Sequence, residues 1–73
     1  MSDAGDICAI VARQLGRSPV IPDMRLVEDL AMESLDLVNV AAALEQTYQI
    51  QIADAALAEA ETVADLVALV QPR

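Results

Sequence analysis

The segment from Ser34 to about Tyr48 constrains the fold most, because it has a helical period and apolar residues on two faces. At about 100° per residue, one face collects a core stripe: Leu37, Val40, Ala41, Leu44 and Tyr48. Leu35, Val38 and Ala42 gather on nearly the opposite side, with Glu45 among them. A chain of 73 residues buries only about 60% of its unfolded surface, so it cannot easily bury both faces.

The second stripe (Leu35, Val38 and Ala42) therefore has two possible fates. Either the loop before this helix covers it, or it is an exposed contact surface that begins one residue after Ser34. We favour the exposed surface, because apolar residues beside a charged border commonly mark sites where partners bind.

Two further segments have a helical period, and no segment alternates like a strand with hairpin turns. One runs from about Asp3 to Leu15, where Gly16 supplies a stop, and the other begins at Thr62 and is closed by Pro72. A short, Ala-rich helix is expected from Asp54 to about Glu59. We therefore predict an all-α fold, a small bundle of three main helices plus one short helix.

Two connections have no helical period. Arg17 to Glu33 contains Pro19 and Pro22, and it is predicted to be a long loop between the first and second helices, a type of loop that tends to be functional. Six apolar residues are expected to pin it to the helices: Val20, Ile21, Met24, Leu26, Val27 and Leu30. Residues 49–52 alternate but are too few for a strand, so we expect an extended link anchored by its two isoleucines.

Two helix starts have polar residues that suit an N-terminal cap. Ser34 is predicted to be the N-cap of the second helix, with Asp36 placed favourably in the first turn. Thr62 is predicted to cap the last helix, and Asp65 three residues later makes a weaker version of the capping box.

The composition favours binding over catalysis. The chain has no His, one Cys and no Gly-rich phosphate-binding loop, so no catalytic set can form around Ser34, and we expect neither an enzyme nor a metal site. The net charge of −8 repels nucleic acid and anionic lipid and attracts basic protein surfaces, although solubility alone is an alternative explanation. Cys8 is expected to be a buried structural thiol, because it has no partner for an internal disulfide.

No stretch approaches the roughly 18 apolar residues of a membrane span, and no basic leader precedes an apolar run. We therefore expect a soluble, cytoplasmic monomer without membrane insertion. The whole chain, residues 1–73, is expected to form one domain.

In this order and at these spacings, the parts of the chain resemble an acyl carrier protein from the first helix to Val70. The similar segments are Leu15-Gly16, Val27-Glu28-Asp29-Leu30, Ser34-Leu35-Asp36, Ala43-Leu44-Glu45, Ile50 to Asp54, and Thr62-Val63. The resemblance implies that Ser34 is esterified with 4′-phosphopantetheine, whose terminal thiol carries an acyl group as a thioester. A helix N-terminus suits the phosphodiester's charge, because its backbone N–H groups are unpaired there. Helix capping alone is the alternative role for Ser34.

The chain departs from the family pattern at three positions. Glu33 stands where the family usually has Asp, which is expected to weaken recognition by the phosphopantetheinyl transferase that installs the arm. Ala31 replaces the usual Gly and disfavours a left-handed backbone there. Asn39 stands where housekeeping members commonly carry Glu. The differences suggest a freestanding, specialised carrier.

The expected partners are basic surfaces of acyl-processing enzymes in fatty-acid or polyketide-type biosynthesis. We expect them to dock on Leu35, Val38 and Ala42 as an apolar centre, with a charged rim of Glu33, Asp36 and Glu45. The absence of a Gly-Gly pair before Ser34 argues mildly against an aminoacyl or peptidyl carrier. The rival interpretation is an unmodified acidic adaptor that docks basic partners through the second helix.

Overall fold

The computed structural model describes residues 4–70, in which four helices form the regular structure. They are α1 (Ala4–Leu15), α2 (Ser34–Tyr48), α3 (Asp54–Glu59) and α4 (Val63–Val70). Among the described residues, the one β-type pairing is an isolated bridge between Arg25 and Thr62. The prediction of an all-α bundle with one short helix is confirmed, whereas the calls on Asp3 and Pro72 lie outside the described residues.

An aliphatic core lies between α1, α2 and α4. Its fully buried side chains are Ile7, Val11, Val40, Leu44, Val63 and Leu66. The predicted stripes of α2 and α4 therefore face inward, with Leu37, Tyr48 and Val67 partly buried at the edges. Cys8 is buried beside them, and desolvation raises the pKa of its thiol, as expected of an inert packing residue.

Left-handed residues follow α1 and α2. Gly16 has φ 67° after α1, and the N–H of Arg17 then donates to the carbonyl of Ala12 at 3.1 Å. Gln49 has φ 57° and donates its N–H to the carbonyl of Glu45, which closes α2. The predicted stop at Gly16 is confirmed, and Gln49 ends α2 in the same way without a glycine.

The loop of residues 17–33 folds back on itself in helical turns. The N–H of Leu30 donates to the carbonyl of Arg25, and the N–H of Ala31 donates to that of Val27. Leu26 and Leu30, four residues apart, consequently share the inner side and are buried. Val27 points outward and is 69% exposed, so its predicted anchoring role is wrong.

The other predicted anchors of this loop divide in the same way. Val20 is buried and Met24 packs partly against the core, as predicted. Ile21 is 48% exposed, so its anchoring role is wrong as well. Backbone hydrogen bonds hold this stretch instead: Ala64 N–H donates to Pro22 at 2.9 Å, and Val63 N–H donates to Met24 at 3.0 Å.

Residues 49–53 form the link to α3, and α3 packs against α4. Gln49, which the sequence predicts to be extended, is left-handed, whereas Ile52 is buried and Ile50 partly buried, as predicted. At the start of α4, Asp65 Oδ2 accepts the N–H of Thr62 at 3.1 Å, and Thr62 Oγ1 accepts the N–H of Asp65 at 3.2 Å. Both halves of the predicted capping box are therefore present.

Candidate functional site

Ser34 is the first residue of α2 and is exposed. The predicted capping role of Ser34 is wrong, because the N-cap is Glu33, with an extended backbone at φ −103° and ψ 174°. Asp36 Oδ2 accepts the N–H of Glu33 at 3.0 Å, and the Glu33 side chain faces the N–H of Asp36 in return. The Ser34 hydroxyl is therefore not used to cap its own helix.

The spacing of Glu33 and Asp36 contained the signal that sequence reasoning missed. Ser outranks Glu as an isolated N-cap, which favoured Ser34. A carboxylate at the cap and another three residues later nevertheless form a reciprocal pair with the same geometry as a capping box. The pair moves the start of the helix so that Ser34 lies in the first turn, where backbone N–H groups lack intrahelical partners.

The backbone just before the site is left-handed at Ala31, where φ is 55°. The sequence predicts that the Cβ of alanine disfavours this conformation, yet the chain adopts it. The next residue, Met32, has a buried side chain, and its N–H donates to the carbonyl of Leu26 at 2.9 Å. Sequence reasoning did not assign Met32 to the core.

The second stripe of α2 is exposed. Leu35 is 68% exposed, Val38 is 57% exposed, and Ala42 is also exposed. The loop of residues 17–33 therefore does not cover the stripe, and of the two alternatives the open surface is confirmed. Val27, which is predicted to pin the loop to the helices, instead adds a further exposed apolar side chain near Ser34.

The three carboxylates predicted to form a charged rim occupy different environments. Glu33 is exposed, and Asp36 is half-buried beside it in the cap of α2. Both therefore lie next to Ser34. Glu45 is half-buried, and its Oε2 accepts the N–H of Ile52 at 2.8 Å, which directs this carboxylate toward the link of residues 49–53.

A shallow cleft opens beside Ser34, between the loop, α2 and α3. The cleft has two parts, and Ser34, Leu37 and Ala58 line both of them. The other lining residues are Leu26, Val27, Met32, Glu33 and Ala60 on one side, and Val38, Asp54 and Leu57 on the other. The cleft is lined mostly by apolar residues.

Two kinds of side chain line the cleft around Ser34. Its neighbours in the cleft are apolar residues and two carboxylates, Glu33 and Asp54. Among residues 4–70 there is no group of three or more side chains that could hold a metal ion. None of the helices in this part of the chain is long and apolar enough to cross a membrane. The geometry leaves the Ser34 hydroxyl exposed at the start of α2.

Comparison with known proteins gives a consistent result. Residues 5–70 match the family described as a phosphopantetheine attachment site. An acyl carrier protein of Onion yellows phytoplasma is 41% identical, covering 84% of this chain and 83% of its own length. One from Chlamydia trachomatis is 36% identical over 100% of this chain and 97% of its own length. A solved structure described as an acyl carrier protein of Mycobacterium tuberculosis superimposes with a TM-score of 0.87 at 28% identity, covering 92% of both chains.

Proposed function

We propose, because the chain belongs to the acyl carrier protein family, that Ser34 is the residue that carries its 4′-phosphopantetheine arm. Members of this family are carriers rather than enzymes. The observation that supports Ser34 is its place as the exposed first residue of α2, with its hydroxyl left out of the cap. The arm's thiol then holds an acyl group as a thioester.

Local electrostatics at the start of α2 suit this attachment. The phosphodiester adds a negative charge close to Glu33 and Asp36, which by itself is unfavourable. The unpaired N–H groups and the positive end of the helix dipole offset that repulsion. The two carboxylates also face backbone N–H groups of the cap.

Ser18 is the natural control for this proposal. It is also an exposed serine, but it lies in the loop after α1 and is not part of a helix. Its hydroxyl therefore lacks the first-turn N–H groups that would surround a phosphodiester on Ser34. A comparison of the two serines isolates the effect of position from that of exposure.

The test is intact mass after expression with a phosphopantetheinyl transferase. Wild-type protein and Ser18→Ala should each gain the mass of one phosphopantetheine, whereas Ser34→Ala should gain none. Modification that persists in Ser34→Ala would remove the assignment. An unmodified wild type would favour the rival function, an acidic adaptor that docks basic partners through α2.

Glu33 is expected to limit how fast the arm is installed. The family usually has Asp at this position, and Glu places the carboxylate one methylene further out. We expect Glu33→Asp to raise the initial rate of modification by a transferase that normally serves Asp-containing carriers. An unchanged rate would mean that the transferase does not distinguish the two carboxylates.

The cargo that the geometry supports best is a fatty-acyl or polyketide-type chain. The mostly apolar cleft beside Ser34 favours an aliphatic group over a charged aminoacyl group. Met32 and Glu33 precede the serine, so the Gly-Gly pair of peptidyl carriers is missing. Charging assays on the holo protein with acyl and aminoacyl donors distinguish these cargoes, and preferential aminoacylation would overturn this choice.

We expect this protein to act as a monomer, and basic surfaces of its partner enzymes to dock on the exposed stripe of α2. Leu35, Val38 and Ala42 supply an apolar centre of the kind found in protein interfaces. Glu33 and Asp36 supply negative charge beside it, which speeds encounter with a basic partner. The third predicted rim residue, Glu45, is half-buried and makes a hydrogen bond to the main chain, which suggests a different role.

A further inference from the structure

Glu45 belongs to the second stripe of α2, yet it is half-buried and its carboxylate accepts a hydrogen bond from the main chain. Oε2 accepts the N–H of Ile52 at 2.8 Å across seven residues of sequence. This hydrogen bond is partly buried, and the Ile52 side chain is buried. Because a hydrogen bond to a charged carboxylate contributes more than a neutral one, it favours a link that stays beside Glu45.

The helix that follows this link depends on such anchoring. α3 has six residues, which is too short for a helix to be stable in isolation. Its N-cap, Ala53, makes no side-chain hydrogen bond, and Leu57 is its one buried residue. The position of α3 is therefore set by the packing of Leu57, by its contacts with α4 and by the segments on either side, one of which is the link of residues 49–53.

α3 in turn forms one wall of the cleft beside Ser34. Leu57 and Ala58 face Leu37 and Val38 of α2 across the part of the cleft nearer the link. A movement of α3 away from α2 would open this part to water. The hydrogen bond from Ile52 to Glu45 lies one residue before the N-cap of α3, at the point where such a movement would begin.

We propose that Glu45 is a positioning residue whose carboxylate latches the link of residues 49–53 to α2 and so holds α3 as the wall of the cleft. Glu45 then acts on the cargo through α3. The latch itself does not require the modification of Ser34; its effect on a bound acyl group rests on the proposed function.

Three variants separate the latch from a docking charge. Glu45→Gln removes the charge but keeps a side-chain oxygen that can accept the N–H of Ile52. Glu45→Ala removes both the charge and the acceptor. Gln46→Ala is the matched control, because Gln46 is the exposed neighbour of Glu45 on the same helix.

Amide hydrogen exchange of the unmodified protein, measured by NMR, tests the latch. In Glu45→Ala, exchange at Ile52 and Leu57 should accelerate by about tenfold, while that of Val11 in α1 stays near its wild-type rate. Glu45→Gln and Gln46→Ala should each stay close to wild type. The latch is overturned if Glu45→Ala leaves Ile52 unchanged, if Glu45→Gln accelerates as much as Glu45→Ala, or if all amides accelerate together.

Hydrolysis of a hexanoyl thioester on the holo protein tests the consequence for the cargo. Glu45→Ala should hydrolyse severalfold faster than Glu45→Gln, because its cleft is open more often. Equal hydrolysis rates despite faster exchange at Ile52 would mean that α3 does not shield the cargo. Failure of Ser34 to accept the arm would appear in the mass of the protein, whereas failure of the latch would appear in the exchange of the unmodified chain.

Discussion

The two faces of α2 carry the same kinds of apolar side chain, but one face is buried and the other is exposed. Leu44 on the inner face is completely buried, whereas Leu35 on the outer face is 68% exposed. Both are leucines on one helix, so helix propensity and side-chain volume are matched. The difference lies in what surrounds them: the inner face holds the bundle together, and the outer face is open to solvent.

The sharpest way to break this comparison is to truncate both leucines. Leu44→Ala should lower the free energy of unfolding by about 2–5 kcal/mol, because it removes apolar contacts and leaves a cavity. That is a large share of the roughly 4–11 kcal/mol expected for a domain of this size. Leu35→Ala should change it by no more than about 0.5 kcal/mol. Urea denaturation measures both, and equal losses would mean that the outer face is buried in solution.

A charge placed on each face sharpens the comparison for binding. Val38→Asp should weaken binding to a basic partner enzyme by at least about tenfold without unfolding the domain, since Val38 is 57% exposed. Val40→Asp, two residues later, should unfold it, because Val40 is fully buried and an unpaired charge there is costly.

Affinity by calorimetry and melting by circular dichroism separate these outcomes. If Val38→Asp binds the partner as tightly as wild type, the docking surface lies elsewhere. If it melts the domain, the outer face has a structural role after all.

The periodicity of the chain predicts its helices well, because burial and helical spacing give one consistent pattern. The end of α2 at Tyr48 and the core stripes of α2 and α4 follow from it, whereas the short α3 was expected from its alanine content. The loop of residues 17–33 is harder to predict, since its turns decide which apolar residues face inward. Leu26 and Leu30 turn in, whereas Val27 turns out, and composition cannot distinguish them.

The candidate site follows the same division. Ser34 and the exposed stripe could be located from sequence, because each depends on position along a regular helix. The cap could not, since it depends on how two side chains, Glu33 and Asp36, meet at the helix start. The hydrogen bond from Ile52 to Glu45 could not be predicted from the sequence either, because it depends on how the chain turns at Gln49 after α2.

A smaller effect is expected at Ala31, near the end of the loop that precedes α2. The test is whether its left-handed backbone is strained. Its φ of 55° places a Cβ in a conformation that costs about 1 kcal/mol in residues other than glycine. Ala31→Gly should therefore raise the midpoint of urea denaturation, offset in part by the extra freedom that glycine gives the unfolded chain. Ala9→Gly, at an exposed position inside α1, should lower stability by about 1 kcal/mol. A loss of stability in both variants would mean that the left-handed turn is not strained.

The smallest effect is expected at the start of α4, where the exposed carboxylate of Asp65 accepts hydrogen bonds chiefly from backbone N–H groups. The N–H groups of Glu61 and Thr62 donate to Asp65 at 2.8 and 3.1 Å, and these hydrogen bonds lower the pKa of its carboxyl. Since the folded pKa lies below the unfolded value of about 3.9, the contribution of Asp65 is complete above that pH. It is lost as the pH falls through the folded pKa. Asp65→Asn should therefore make the fall in stability below about pH 4 shallower.

Thr62→Ala provides the control for that slope. It removes the hydroxyl that accepts the N–H of Asp65 at 3.2 Å, and it should cost about 1 kcal/mol at every pH. Most of the acid dependence should remain, because the N–H groups of residues 61 and 62 still reach the Asp65 carboxylate. Denaturation midpoints measured at steps of about 0.5 pH unit between about pH 2.5 and 7 distinguish a changed pH dependence of stability from a loss that is the same at every pH. An unchanged slope in Asp65→Asn would place the acid sensitivity on other carboxylates, such as Asp29, whose pKa is lowered by its hydrogen bonds with Arg25.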